Sequence, residues 1–543
     1  MAISSGNRKK VAIVGSGCAG MGALWGLKDS NYEIHLYEKN RKPGGHTNTQ
    51  RFRSRKTTVD VDTGFIVMNS ATYPNFLAFL DHVGISPKRT EMTFSVSRDR
   101  GAFEWSGEAQ GVFAQRRNFF RPQHWRMLFD IVRFNQFALD LLYQDDGRLE
   151  GITIGEYLDR EQYSQSFRDE YLIPMTAAVW STSPDKSSLG FPAAVLVRFM
   201  WNHHLLSTLA TRPAWLTIPG GSQRYIDKVL AQYNASASKI RLHVHLDTEI
   251  VGLEHSEKHK VVLLARSADG HVSKESFDHV ILACHGDEIL PILSSRGLHR
   301  NAADLDHDWK STSHEDLNGD VSREELDIFK CFKTTKNTCY LHSDLAFMPQ
   351  RRSAWTSWNY LVSSNPSQQL HPAGVSLTYN MNTLQHFDQN IHGPVLVTMN
   401  PEQAPSSQLT QGEFTYRHPL YTTDAVRAQQ RLRSVQNVRG ISYCGAWTKY
   451  GFHEDGFTSG LLVAQDHLGA KVPFTVVDST YSRGHKPTLC KKDYLLRFVV
   501  SMLLFALTAC DFVLAFPGIS LLVALGAQVG SAILDVLEHA GIL

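Results

Sequence analysis

The first forty residues predict an α/β fold with a parallel sheet, and three observations support it. Lys10–Val14 is a near-continuous apolar run, as a buried parallel strand requires. Gly15, Gly17 and Gly20 follow in the spacing GxGxxG. A helical stretch of small residues and a second strand, Ile34–Tyr37, complete a β-α-β unit in under thirty residues. Because the glycines lie between a strand and a helix, they predict a Rossmann-type dinucleotide-binding domain.

Each glycine has its own expected role. Gly15 permits the tight turn, Gly17 lets the backbone approach a pyrophosphate, and Gly20 permits close packing of the helix on the strand. The helix N-terminus faces the phosphate charge. Glu38 ends the second strand, 18 residues after Gly20, and is expected to accept hydrogen bonds from ribose hydroxyls. The predicted contact residues of this segment are Gly15, Ser16, Gly17, Cys18, Ala19, Gly20, Glu38 and Lys39.

A second glycine-rich segment lies more than four hundred residues later. Val438–Gly445 is predicted to be a buried strand, and Ser459–Gly469 the helix after it. Between them runs Gly451-Phe-His453-Glu-Asp455-Gly456. We interpret this segment as a helix start that returns to the same cofactor.

Composition and charge indicate an ordinary globular protein of two to four domains. The chain has 543 residues, of which 20% are charged and 42% hydrophobic, and a net charge of +2. This balance gives no reason to expect nucleic acid, and the basic run Arg51–Lys56 is interpreted as a solvated loop or hairpin. The seven cysteines are scattered, and no His/Cys pair has metal-ligand spacing, so neither disulfides nor a metal are predicted.

The middle of the chain is predicted to combine helices with antiparallel strands. Arg116–Tyr143 and Phe167–Trp180 carry aromatic and apolar residues at helical spacing. Ile240–Leu253 and Val261–Arg266 are predicted to be strands of one β-meander. Ser353–Asn380 alternates aromatic and polar residues, which is typical of antiparallel strands.

The C-terminal tail is strongly apolar. Phe498–Phe516 is about long enough to cross a bilayer, Pro517-Gly518 interrupts it, and Ile519–Leu537 is a second apolar stretch. One span, a re-entrant hairpin, two short spans or a buried helix pair all fit this pattern. If the tail crosses a membrane, the basic residues just before it are expected to keep the protein body on the cytosolic face of that membrane. These residues are Lys491, Lys492 and Arg497.

Several motifs in one order resemble the flavin-containing amine oxidase superfamily. They are Gly44-Gly45-His46-Thr47, Val61–Val67, Tyr73-Pro74, Ile218–Ser222, Thr415–Pro419 and Gly451–Gly456. The resemblance covers the chain to about Gly469. Within the superfamily the chain is most similar to a predicted FAD-binding branch that is associated with cyclopropane fatty acyl synthases.

The resemblance implies FAD as the cofactor and assigns further residues to it. Gly44 and Gly45 match the second diphosphate-contacting pair, and Ile250 matches a strand residue whose backbone meets the adenine. Gly445 closes the last strand beneath the flavin, and Asp455 and Gly456 open the helix that points at the isoalloxazine. The cofactor residues added in this way are Gly44, Gly45, His46, Thr47, Ile250, Gly445, Asp455, Gly456 and Phe457.

The same resemblance implies that two interleaved domains precede the hydrophobic helical tail. A Rossmann-type FAD-binding domain is expected at 1–85, 216–300 and 426–470. A discontinuous α+β substrate domain is expected at 86–215, which is helical, and at 301–425, which contains an antiparallel sheet. The membrane-associated tail is expected at 494–538.

Departures from the superfamily argue against amine oxidation. His46 replaces the usual arginine, and Ala446 replaces an acidic residue that commonly holds the ribitol. One of the two rings that flank an amine substrate falls near His453, so that aromatic cage is incomplete. No Ser-Gly-Gly-Cys occurs where a covalent cysteinyl–flavin bond would need it.

Three hypotheses follow for function. The first is an FAD-dependent oxidoreductase, either a dehydrogenase or a double-bond isomerase, acting on a hydrophobic lipid-like or secondary-metabolite substrate. The second is a flavin amine oxidase, and the third a non-catalytic FAD-bound partner of a lipid-modifying enzyme. His453 is the catalytic candidate, although a structural role in its turn explains it equally well. The expected substrate pocket comprises Tyr416, His418, Trp358 and Tyr379, and core packing explains the last two equally well.

Overall fold

The computed structural model describes most of the chain. The described residues are 8–54, 56–143, 152–180, 189–206, 213–234, 241–256, 260–295, 321–364, 370–484 and 486–514.

A five-stranded parallel sheet forms the centre of one half of the fold, which we call the parallel-sheet half. Its strands, in spatial order, are β10 (Leu242–His245), β2 (Glu33–Tyr37), β1 (Lys10–Val14), β14 (His279–Leu282) and β20 (Ile441–Tyr443). All four pairings are parallel. The buried, mostly apolar residues of β1, β2 and β14 place the sheet in the hydrophobic core, as predicted for β1.

Helices cover this sheet. They are α1 (Cys18–Gly26), α2 (Pro74–His82), α8 (Gln223–Asn234), α9 (Gly286–Leu293), α10 (Arg323–Phe329), α13 (Thr423–Arg431) and α14 (His453–Leu462). The start of α14 that the pattern predicted, Ser459, is six residues late, and the start that the resemblance implied, Asp455, is two residues late. The helix begins earlier because the Asp455 carboxylate accepts a hydrogen bond from the Phe452 N–H at 3.0 Å, which caps the first turn.

A three-stranded antiparallel meander packs beside the parallel sheet. Its strands are β11 (Thr248–His255), β12 (Val261–Ser267) and β13 (Val272–Phe277). The predicted meander strand Ile240–Leu253 is in fact two strands, since β10 joins the parallel sheet and only β11 belongs to the meander. Asp247 separates them with a φ of +51°, which breaks an extended strand.

A seven-stranded sheet forms the centre of the other half of the fold. In spatial order its strands are β19 (Thr410–Leu420), β15 (Lys333–His342), β18 (Leu396–Met399), β17 (Leu370–Asn380), β16 (Trp358–Ser364), β7 (Phe94–Arg98) and β8 (Phe103–Ser106). The segment 86–215, predicted to be helical, therefore also contributes β7 and β8. β7 alternates apolar and polar residues, which suits a strand, and it pairs parallel with β16.

Short helices and small sheets complete this half. The helices are α3 (Pro122–Phe137), α4 (Ile154–Arg160), α5 (Gln165–Phe167), α6 (Ile173–Trp180), α7 (Ala193–Asn202), α11 (Met381–Leu384) and α12 (Gln389–His392). The strands are β3 (Thr49–Arg53) with β4 (Thr58–Asp62), and β5 (Met68–Asn69) and β6 (Lys88–Thr90) on either side of β9 (Trp215–Thr217).

The last described element is α15 (Lys491–Leu514), which packs against α3. The Arg497 guanidinium pairs with Asp140 at 2.8 Å and holds the start of the helix on the body. Among the described residues, no helix combines the length and hydropathy needed to cross a membrane, so the predicted span is not found there. The second predicted stretch, Ile519–Leu537, lies outside the described residues.

Candidate functional site

The turn after β1 is shaped by glycines. Gly15 has a φ of +101°, and a Cβ there would lie 2.8 Å from the carbonyl oxygen of Ala283. A Cβ at Gly20 would lie 1.9 Å from the carbonyl oxygen of Gly15, so α1 packs against the turn without room for a side chain. At Gly17 an added Cβ meets no atom within 4 Å, because this residue borders an open cavity. The N-terminus of α1 therefore faces that cavity with a bare backbone.

Glu38 follows β2 directly and lies in the wall of the same cavity. One carboxylate oxygen accepts the Ser16 N–H at 3.0 Å, and the other accepts the Asn40 N–H at 3.0 Å. The carboxylate is thereby fixed beside the glycine turn. This is the place where a dinucleotide-binding domain puts the acid that holds a ribose.

A second pair of glycines lies next to the first in the cavity wall. Gly44 and Gly45 have φ values of +129° and +57°, and both line the cavity. A Cβ at Gly45 would lie 3.1 Å from the Cα of Gly17, so the two backbones approach closely. Together the two segments form a cradle of bare backbone in the cavity wall. Such a cradle fits the diphosphate of a dinucleotide.

Helix α14 brings the C-terminal glycine segment to the same place. A Cβ at Gly456 would lie 2.4 Å from the Cys18 Sγ, and a Cβ at Gly22 would lie 2.3 Å from the carbonyl oxygen of Phe457. Small residues therefore let α14 pack directly on α1. Gly445 and His453 reach the cavity wall through this packing.

His453 is the first residue of α14 and is buried. Its Nε2 lies 2.9 Å from the Tyr225 hydroxyl, and its ring stacks on Phe65 at 3.8 Å with an interplanar angle of 12°. Burial lowers the pKa of His453 to about 3, so the imidazole is neutral at physiological pH. A neutral ring in the cavity wall can accept or relay a proton, and its stacked, hydrogen-bonded setting also fits the structural role.

Three more histidines form a corner of the cavity. The ring of His46 lies 5.0 Å from that of His418 and 5.7 Å from that of His285. Burial lowers the pKa of His418 to about 4 and that of His46 well below its usual value. The Asn337 amide donates to His418 Nδ1 at 2.7 Å, so the neutral His418 ring carries its proton on Nε2.

Large apolar side chains line the rest of the cavity. We call six of them the apolar wall: Met92, Phe199, Leu205, Trp215, Trp358 and Met399. We call the opposite set the cofactor wall: Gly15, Gly17, Glu38, Gly44 and Gly45. Trp358 packs edge-on against Tyr379 at 5.0 Å, and its buried indole N–H has no hydrogen-bond partner among the described residues. One cavity thus joins a backbone cradle to a mainly hydrophobic surface.

Most of the residues predicted from sequence lie in the cavity wall. They are Gly15, Gly17, Cys18, Ala19, Glu38, Lys39, Gly44, Gly45, His46, Ile250, Trp358, Tyr379, His418, Gly445 and His453. The others lie behind the wall and support it. They are Ser16, Gly20, Thr47, Tyr416, Asp455, Gly456 and Phe457. Thr47, for example, bonds the Tyr225 hydroxyl at 2.8 Å, which in turn holds His453.

Sequence reasoning missed most of the apolar wall and also His285. Met92, Phe199 and Leu205 carry no motif, and only the fold brings them to the cavity. His285 had a usable signal, because it comes just after the buried strand β14 and next to the glycine turn. The carboxyl ends of parallel strands are where open α/β sheets place ligands.

Comparisons with known proteins agree with this geometry. A family described as the NAD(P)-binding Rossmann-like domain matches residues 13–83. No protein of the curated set matches the sequence.

Among solved structures, a CLA-producing fatty acid isomerase from P. acnes is 14% identical, with a TM-score of 0.51. It covers 85% of this chain and 99% of its own. Cyclohexylamine oxidase from Brevibacterium oxydans is 10% identical, with a TM-score of 0.54 and the same two coverages.

A putrescine oxidase bound to putrescine is 14% identical, with a TM-score of 0.54, and covers 85% of this chain and 99% of its own. All three are similar to this chain over nearly their whole lengths. The chain therefore shares the fold of these structures, and its N-terminal part matches a Rossmann-like domain.

Proposed function

We propose that the protein is an FAD-dependent oxidoreductase that dehydrogenates a hydrophobic, lipid-like or secondary-metabolite substrate or moves a double bond in it. One observation carries the proposal: the cofactor wall and the apolar wall line a single cavity. The likeness to both oxidases and a fatty acid isomerase supports a flavin fold that serves several reactions.

The residues present fit FAD. Gly17 borders open space at the N-terminus of α1 that a diphosphate could occupy, and the bare backbone of Gly15, Gly44 and Gly45 lies beside it. The position of Glu38 in the same wall supports its assignment to the ribose. Bound FAD supplies hydride or electron transfer, which leaves the protein to bind, orient and shield the substrate. The cavity also reaches the first turn of α14, where His453 lies, and we assign the flavin ring to this region.

The apolar wall is the reason for a hydrophobic substrate. Its side chains exclude water from the reacting carbon atoms and leave specificity to shape. The neutral rings of His46, His418 and His453 are the groups placed to hold or move a proton while a hydride leaves an adjacent carbon. We assign the proton-transfer role to His453, because it follows Phe452 directly and lies at the N-terminus of α14.

The test is a spectrum followed by a titration. The full chain is purified with detergent, its absorption spectrum is recorded, and it is titrated without oxygen with unsaturated fatty acids and their esters. We expect a flavin spectrum that bleaches with at least one lipid, or a lipid whose double bond moves while the flavin stays oxidised. Mass spectrometry of the same mixture separates these two outcomes.

Other results would favour the alternatives. Bleaching by simple amines, with peroxide released in air, would replace the proposal with an amine oxidase. A flavin that no lipid, amine or nicotinamide donor reduces, with no product formed, would support the FAD-bound partner of a lipid-modifying enzyme. A protein without flavin would overturn the interpretation of Gly15, Gly17 and Glu38.

We also propose that α15 attaches the protein to a membrane surface, from which a lipid substrate would enter. Tyr494, Leu495, Phe498 and Phe505 expose between 62% and 73% of their surface. Lys491 and Lys492 are exposed at the start of the same helix. Exposed apolar residues with flanking lysines fit an interfacial helix on anionic lipid.

Vesicle flotation tests this attachment. The full chain is expected to float with vesicles that contain phosphatidylserine and more weakly with phosphatidylcholine alone. A Phe498→Ser/Phe505→Ser double variant should float several-fold less, while Val477→Ser, at an exposed site outside the helix, serves as the control. Equal flotation of the double variant, or no flotation of the native chain, would contradict the proposal.

A further inference from the structure

Three histidines and two glutamates meet at the edge of the parallel sheet, where no sequence motif marks them. Strands β2 and β10 pair in parallel, which places His35 beside His243 and Tyr37 beside His245. Glu275 approaches from β13 of the meander. The cluster therefore joins three strands that are far apart in the chain.

The distances within the cluster match those of a metal site. His35 Nδ1 lies 3.1 Å from His245 Nε2 and 3.5 Å from Glu275 Oε2. All three ligand atoms lie within 4.8 Å of one another. Bonds of about 2.0–2.1 Å to a tetrahedral zinc ion separate two ligand atoms by about 3.3 Å. The two measured contacts lie on either side of that value.

Hydrogen bonds from neighbouring side chains orient two members of the cluster, His35 and Glu275. Glu33 Oε1 lies 3.2 Å from His35 Nε2, so that nitrogen can donate and leave the lone pair of Nδ1 facing His245. The Tyr37 hydroxyl donates to Glu275 Oε2 at 3.0 Å. A carboxylate behind a ligating histidine is the usual outer-shell arrangement at zinc.

The charges around the cluster also suit a divalent cation. Glu33 and Glu275 bring two negative charges, and Lys10 brings one positive charge. The Lys10 ammonium lies 3.0 Å from Glu275 Oε1 and 3.4 Å from Glu33 Oε1, so the cluster keeps a net negative charge.

We propose that His35, His245 and Glu275 bind one Zn²⁺ or a similar first-row divalent ion, with water at the fourth position. The ion ties the edge strand β10 to β2 and to the meander. Tyr37 connects this site to the cavity, because its ring stacks on His245 at 4.4 Å and also lines the cavity wall. The role of the metal ion is structural, since none of its proposed ligands lies in the apolar wall.

Cobalt titration of the full chain, without a histidine tag and after removal of metal with a chelator, tests the site. We expect one equivalent of Co²⁺ to give the visible absorption of a tetrahedral site and Zn²⁺ to displace it. His245→Ala and Glu275→Ala should each lose this band, while circular dichroism verifies that they remain folded. Glu33→Gln should weaken binding by about 10–100-fold, as expected for an outer-shell partner.

His243→Ala is the matched control. His243 stacks on His35 at 4.5 Å but lies outside the proposed ligand set, so this variant should keep the band. A chain that gives no tetrahedral band, or a band that survives in folded His245→Ala, would overturn the proposal. So would loss of the band in His243→Ala alone, because it would place the ion between Glu33, His35 and His243 instead.

Discussion

The cofactor wall and the apolar wall belong to one cavity but are built in opposite ways. The cofactor wall is mostly backbone, and three of its four glycines have positive φ values. The apolar wall consists of large side chains that come from helices, strands and the loops beside them. A backbone cradle accepts few substitutions and marks the cofactor, whereas a wall of side chains is free to change and so sets the substrate.

The largest expected effect of a single substitution lies beneath the cofactor wall, at Gly20. A Cβ there meets the Gly15 carbonyl oxygen at 1.9 Å, and backbone cannot move aside as a flexible side chain can. We expect Gly20→Val to prevent folding of the parallel-sheet half, with no flavin in the soluble fraction. Flavin content and thermal unfolding measure this, and Gly107→Ala is the control because nothing lies within 4 Å of its added Cβ.

Gly17 separates cofactor binding from folding. Its added Cβ meets no protein atom within 4 Å, so Gly17→Val should fold normally but occupy the space of the diphosphate. We expect flavin affinity to fall by at least about 100-fold, or about 3 kcal/mol. Flavin fluorescence measures the affinity, and the unfolding temperature of the flavin-free protein should change by no more than about 2 °C. A variant that binds flavin with native affinity would place the diphosphate elsewhere.

The two walls also differ in how far the sequence predicted them. The strand, glycine turn and Glu38 lie within forty residues, so their geometry follows from local pattern alone. Trp358, Tyr379 and His418 were found through the resemblance, because their strands carry only an alternating pattern. Met92, Phe199 and Leu205 could not be found, since long-range strand pairing and helix packing bring them together.

The cluster around His35 shows the same limit. His35 and His245 are 210 residues apart, so no spacing rule connects them. The split of Ile240–Leu253 into β10 and β11 was equally hidden, because both strands have similar composition and only sheet pairing distinguishes them. The parallel pairing of β10 with β2 explains both the contact between His35 and His245 and the separation of β10 from the meander.

Trp358 tests whether the apolar wall sets the substrate. Its ring lines the cavity, and Trp358→Ala removes a large part of the wall without touching the glycine cradle. We expect kcat/KM for a hydrophobic substrate to fall by about tenfold or more while flavin stays bound. Trp355→Ala is the control, because the Trp355 indole donates to the Pro349 carbonyl and lies outside the cavity wall. Equal losses in both variants would show that stability, not contact, causes the change.

Glu454 lies outside both walls and supports α14 and α2. Its buried carboxylate accepts the N–H groups of Asn75 and Phe76 at 3.0 and 2.9 Å, at the start of α2. Burial raises the pKa of Glu454 to about 7. The folded protein therefore holds this proton more tightly than the unfolded chain does. Stability from this group is greatest below the unfolded pKa and falls as pH rises toward 7.

We expect the contribution of Glu454 to the free energy of unfolding to fall by roughly 2 kcal/mol between pH 5 and pH 8. Glu454→Gln should flatten that slope, and it should lower stability at every pH because its amide NH₂ faces a backbone N–H. Urea unfolding at several pH values measures both. Glu156→Gln is the control, since Glu156 caps α4 at the surface with a lowered pKa, so its own contribution is lost only in acid. An unchanged slope in Glu454→Gln would mean that the carboxyl is already ionised in the fold at pH 5.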